Sequence, residues 1–121
     1  MIKKKSNKNQ KKTRAERTVA ALVEVGLSSY KVEVFLKGEF TTIDVYLEGK
    51  EIPLREVDDN EYYKLYTSFD IINPLDIHVR LKGWFGMDWN FEVRVNNKQV
   101  YSNDGVFDVK GFVTFTEHVN I

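Results

Sequence analysis

An all-β fold, an antiparallel sandwich of seven or eight short strands, is what this sequence predicts, and three observations carry that reading. Apolar residues recur with a period of two from Ser28 to the C-terminus. Turn-forming residues break that pattern at short, fairly even spacing. No long helical period lies between the breaks, so the sheets have no crossover helices.

Each predicted strand has one face written in apolar residues. Val32, Val34 and Leu36 alternate with Lys31, Glu33, Phe35 and Lys37, and Ile43, Val45 and Leu47 alternate with Thr42, Asp44, Tyr46 and Glu48. Further on, Tyr63, Leu65, Thr67 and Phe69 alternate with Tyr62, Lys64, Tyr66 and Ser68. Leu75, Ile77, Val79 and Leu81 then form one row, and Trp89, Phe91, Val93 and Val95 another. Such alternation is the signature of a strand with one buried and one wet face. The core is therefore expected to contain Val34, Val45, Leu65, Val79, Phe91 and Val93. Two sheets are preferred to one open sheet because Phe35, Tyr46, Tyr62 and Tyr66 put aromatic area on the second face of several strands.

Turns are expected at Gly38-Glu39, Glu48-Gly49-Lys50, Asp58-Asp59-Asn60, Asn73-Pro74, Gly83 to Gly86, Asn96-Asn97 and Asn103-Asp104-Gly105. Asn96-Asn97 favours a two-residue hairpin, because asparagine tolerates positive φ. One or two last strands are expected around Gly111.

The N-terminal quarter differs in kind. Residues 1–12 hold one branched apolar residue, Ile2, and cannot offset their ordering entropy by burial, so a flexible basic arm is expected. Thr13-Arg14-Ala15-Glu16 has the form of a capping box, and Ala15, Val19, Leu22 and Val23 follow at helical spacing up to Gly26. A short α-helix over 13–26 is expected, followed by the β-sandwich domain over 28–121.

The formal net charge of zero conceals a division. Lys3, Lys4, Lys5, Lys8, Lys11, Lys12, Arg14 and Arg17 face only Glu16 within residues 1–17, giving +7, while the rest of the chain carries −7. Those eight cations are the candidate binding arm, for a nucleic acid or other polyanion, or for a neighbouring subunit. No cysteine is present, so disulfides and zinc–thiolate sites are excluded, and a reducing, cytoplasmic setting is the expectation. Val19 to Val23 is the longest apolar run, well short of the roughly 18–20 residues of a transmembrane helix. It is also shorter than the about 7–15 residues of a secretory core, so neither a spanning segment nor a signal peptide is expected.

Catalytic signals are sparse. His78 and His118 fall on polar phases of strands without metal-ligand spacing, and no GxSxG motif or phosphate loop occurs. Asp58, Asp59 and Glu61 crowd one turn with Asn60, where hard oxygens would suit calcium, but the EF-hand spacing is missing. Neither a metal nor a cofactor is expected. The remaining candidates are aromatic. Trp89 is in phase with the core row, whereas Trp84 and Phe85 sit on a loop tip between Gly83 and Gly86. Large aromatics so placed suit a protein partner or a stacked sugar. The sequence thus points to a non-catalytic binding or assembly module, with a protein partner or self-assembly into a homo-oligomer. A carbohydrate-binding module is the alternative, and a small hydrolase ranks below both.

Overall fold

The computed structural model describes residues 27–121, and the expected arm and helix, with all eight of their cations, lie outside the described residues. Nine strands follow one another: β1 (Leu27–Gly38), β2 (Phe40–Leu47), β3 (Lys50–Glu51), β4 (Arg55–Asp58), β5 (Glu61–Ile72), β6 (Leu75–Gly83), β7 (Asp88–Val95), β8 (Lys98–Val106) and β9 (Phe112–Val119). The count exceeds the expected seven or eight because β3 is a two-residue fragment and the acidic turn is preceded by its own short strand. No helix occurs among the described residues, so none there is long and apolar enough to cross a membrane.

Two antiparallel sheets form, ordered β4-β5-β1-β7-β8 and β3-β2-β6-β9, and both contribute to one core. β1 is the centre of the larger sheet. Its Val32, Val34 and Leu36 are fully buried, opposite Val95, Val93 and Phe91 of β7 in the same sheet. Val45 and Leu47 from β2, and Leu75, Ile77, Val79 and Leu81 from β6, supply the facing layer. Phe115 of β9 ties the sheets together. Its ring lies 5.8 Å from Trp89, near-parallel, and 5.9 Å from Phe91, edge-on.

β5 corrects the expected phase. Tyr30 pairs with Phe69 but Val32 pairs with Tyr66, so β5 carries one extra residue between those pairs. A bulge of this kind exchanges the two faces of a strand. Phe69 points inward beyond it, as expected, and so does Ile71. Before it, Tyr62 and Tyr66 face the core beside Leu36 and Val32, and Tyr63 and Leu65 face outward. Leu65, expected in the core, is 39% exposed. Tyr62 and Tyr66, expected on the wet face, pack against the core instead.

The Asn103-Asp104-Gly105 turn is also corrected, since these residues continue β8. Gly105 lies opposite Trp89, and a Cβ there would come within 2.9 Å of the indole. The glycine makes room for a core tryptophan and does not turn the chain. Asn96-Asn97 does form the expected two-residue hairpin, with φ of 51° and 68°. Asn96 fixes that hairpin to β1, donating its N–H to the Lys31 carbonyl and accepting the Lys31 N–H on its side chain. Glu48 does similar work, its carboxylate accepting the N–H groups of Ile72 (3.0 Å) and Asp76 (2.7 Å) on either side of the Asn73-Pro74 turn.

Substituting Phe91→Ala should cost about 3–5 kcal/mol through lost burial and a residual cavity, whereas Leu65→Ala should cost well under about 1 kcal/mol. Denaturant unfolding of the two variants checks this, and equal losses would mean that β5 has no bulge.

Candidate binding surface at one end of the sandwich

Strand registers sort the connections into two ends. At one end lie Gly38-Glu39, Asp59-Asn60, the β6–β7 loop and the β8–β9 loop; Leu27 and the Asn73-Pro74 turn lie at the other. Trp84 and Phe85 therefore stand at the end opposite the point where the N-terminal segment joins the sheet.

The two long loops of that end are tied together through their backbones. Gly83 N–H donates to the Gly111 carbonyl (3.0 Å), Gly86 N–H to Phe107 (2.9 Å), and Phe107 N–H to Met87 (3.0 Å). Phe107 is buried beneath them, with its ring against the α-carbon of Gly83 where any side chain would collide. Plugged from below in this way, the loops turn their remaining large apolar side chains to solvent. Trp84 is 61% exposed and Phe85 70%, and Met87, Val106, Val109 and Phe112 join them. Large apolar side chains gathered on fixed loops are the usual mark of an interaction site.

Trp84 and Phe85 were legible as a loop tip. The other four were not, because Val106 and Phe112 read as strand residues and Val109 as an ordinary residue between Asp108 and Lys110. The available signal was the phase of Phe107, whose burial puts Val106 on the opposite side of the chain.

Beside the loops runs a groove of about 680 Å³, lined by Gly38, Glu39, Asn60, Asp88, Asn90 and Asp104 together with Met87 and Trp89. Trp89 forms part of its wall but is itself only 6% exposed, and its Nε1 has no partner among the described residues.

A second cluster occupies the outer face of the larger sheet. The Phe35 and Tyr63 rings meet at 5.0 Å with their planes tilted by 49°, Arg94 lies 5.1 Å from the Phe35 ring centre, and the Tyr63 hydroxyl donates to Glu33 at 2.7 Å. The Glu33 bond, with some burial, holds the Tyr63 phenol above its ordinary value of 10.0. Arg94 also pairs at 2.6 Å with Glu92 on its own strand, while its contact with Phe35 and the Tyr63–Glu33 bond join neighbouring strands.

The remaining sequence candidates are accounted for locally. Asp58 accepts the Asp59 N–H, Glu56 the Asn60 N–H, and Glu61 pairs with Lys37 at 3.7 Å, so two of the three candidate carboxylates of the acidic turn, Asp58 and Glu61, have local partners. His78 bonds Thr116 at 2.8 Å and His118 pairs with Asp76 at 2.6 Å, both exposed. Among the described residues no three histidine, cysteine or acidic side chains are grouped to hold a metal ion. Comparison with known proteins adds no relative: no family model, no curated protein and no solved structure matches this chain.

Iodide should quench a variant retaining only Trp84 strongly and one retaining only Trp89 weakly; equal quenching would contradict the end surface. Tyr63 gives a pH test. Its phenol is favoured in the neutral form by folding, so its contribution is complete below pH 10.0 and lost as pH rises through the higher folded value. Ultraviolet difference titration should show Tyr63 ionising later in the native than in the unfolded protein. Glu33→Gln should bring it back toward the ordinary value.

Proposed function

We propose that the protein is a non-catalytic binding and assembly module, acting in the cytoplasm, that docks a protein partner on the end surface around Trp84 and Phe85. The observation that carries this reading is the pair of cross-bonded loops that, with the adjoining ends of β8 and β9, exposes six large apolar side chains at one end of the sandwich. Their fixed backbone means that little loop ordering remains to be lost on binding, which favours affinity. Trp is also the residue type most often found to dominate binding energy at interfaces.

The basic arm supplies the second contact in this proposal, to a polyanion or a neighbouring subunit. Residues 1–17 carry +7, against ten basic and sixteen acidic side chains in residues 27–121. Binding of a nucleic acid by such an arm is electrostatic and weak in sequence preference, because it offers charge and almost no base readout.

A second reading, carbohydrate binding, is favoured by one observation: the exposed Trp84 and Phe85 rings stand beside a groove rich in carboxylate and amide acceptors. Titration with a panel of oligosaccharides, read by Trp84 fluorescence, separates it from protein docking.

Two substitutions test the docking reading. Trp84→Ser with Phe85→Ser should leave thermal stability nearly unchanged, since both rings are exposed, and should abolish capture of the native partner in a co-purification from the source cells. Retained capture would end the end-surface reading. For the arm, about four or five engaged cations predict a log K against log salt slope of roughly −3 to −4. Deletion of residues 2–12, which removes six lysines, should abolish that binding and leave the fold intact. Identical weak DNA binding by both chains at about 50 and 200 mM salt would retire the nucleic-acid partner.

A further inference from the structure

The apolar side chains of the end surface have a charged surround that is mostly of one sign. Glu39, Asp88 and Asp104 line the groove beside them, and Asp108 lies in the β8–β9 loop itself. Asp58, Asp59 and Glu61 of the neighbouring turn bring the carboxylates of that end to seven, against Lys37, Lys82 and Lys110. Lys37 is already paired with Glu61. The opposite end is nearly balanced, with Glu48, Glu51, Asp70 and Asp76 against Lys50, Arg94 and Lys98. An apolar patch in an acidic surround selects a segment that is basic and apolar together, because like charges across an interface are costly and opposite charges steer the encounter.

The chain carries such a segment. Eight cations face one carboxylate up to Arg17, and after Thr18 comes the longest apolar run, Val19-Ala20-Ala21-Leu22-Val23. Where the chain joins the sheet decides which copy that run can serve. It precedes Leu27 by four to eight residues, so even fully extended it reaches no more than about 29 Å from there. The end surface of the same copy lies about 36 Å from Leu27, the length of β1 at roughly 3.3 Å per residue. The run therefore falls short of Trp84 in its own copy, and only the end surface of another copy is open to it.

We infer that the N-terminal segment of one copy docks on the end surface of a second copy, with Val19, Leu22 and Val23 against Trp84 and Phe85 and the cations from Lys3 to Arg17 over the carboxylates of the groove. The inference rests on the docking reading above and names the occupant of that surface. Donor and acceptor are different parts of the chain, which separates this contact from the pairing of one face with itself.

By multi-angle light scattering at about 100 μM, the full-length chain should be at least a dimer, and its mass should fall as salt rises from about 50 to about 500 mM. Trp84→Ser with Phe85→Ser removes the acceptor; Val19→Ser with Leu22→Ser and Val23→Ser removes the donor. Each of these full-length chains alone should be a monomer. Mixed in equal amounts they keep one intact contact between them and should form a one-to-one heterodimer. A full-length chain that is monomeric at this concentration overturns the inference. So does self-association that survives either set of substitutions, or a mixture that stays monomeric. If capture of a different protein is lost on Trp84→Ser with Phe85→Ser but kept by the donor variant, and the unsubstituted chain is monomeric, this inference fails and the docking reading stands. Circular dichroism checks the fold of each variant. Should the acceptor pair fail to fold, Asp88→Lys with Asp104→Lys, two exposed replacements, takes its place and is decided by the same mixing.

Discussion

An extended chain shows its side chains alternately to two faces, and in this molecule every other feature answers to that constraint through β1. β1 is hydrogen-bonded on both sides, to β5 and to β7, so its row Val32, Val34, Leu36 sits at the middle of the larger sheet and sets which face is buried for its neighbours. β7 obeys without exception, with Trp89, Phe91, Val93 and Val95 all inward. β5 cannot obey over its full length. Its sequence offers Tyr62 and Tyr66 in one phase and Phe69 and Ile71 in the other, and both sets find the core only because an extra residue intervenes. The bulge is therefore what allows a twelve-residue strand of mixed phase to serve a single core.

That same bulge marks the boundary of what the residue pattern could show. β6 and β7 were legible because only one phase in each is apolar. The Asn96-Asn97 hairpin was legible because two adjacent asparagines have few other reasons to occur between strands. In β5 the two phases are almost equally aromatic before Thr67, so hydrophobicity cannot choose between Tyr63 with Leu65 and Tyr62 with Tyr66; the choice is made by pairing with β1. Gly105 misled for a related reason. Glycine after Asn-Asp reads as a turn, and only the position of Trp89 on the adjacent strand explains its place inside β8. Of the end surface, two residues of six were visible in sequence. The rest became neighbours through contacts between loops twenty or more residues apart.

The surface exposes what the core could have taken. Phe107 and the Trp84 loop draw on the same stock of large apolar residues, yet Phe107 is buried and Trp84 is not. The difference lies in the backbone: Gly83 and Gly111 let the loops approach until the Phe107 ring fills the space beneath, leaving Trp84 and Phe85 no interior to enter. Exposure at that end is thus a consequence of loops packed tightly rather than loosely. A loosely packed loop would fold its aromatics back over the sandwich. A loop held by cross-bonds and a buried plug keeps them out, which is the condition a docking surface needs.

The two ends of the sandwich also stand far apart. The chain enters β1 at Leu27 and leaves it at Gly38, beside the end surface, so the ends lie about 36 Å apart at roughly 3.3 Å per residue. A compact partner seated on Trp84 and Phe85 would not reach Leu27. In the assembly reading, a partner on the loops therefore leaves the end that carries Leu27 and the Asn73-Pro74 turn open to a further contact.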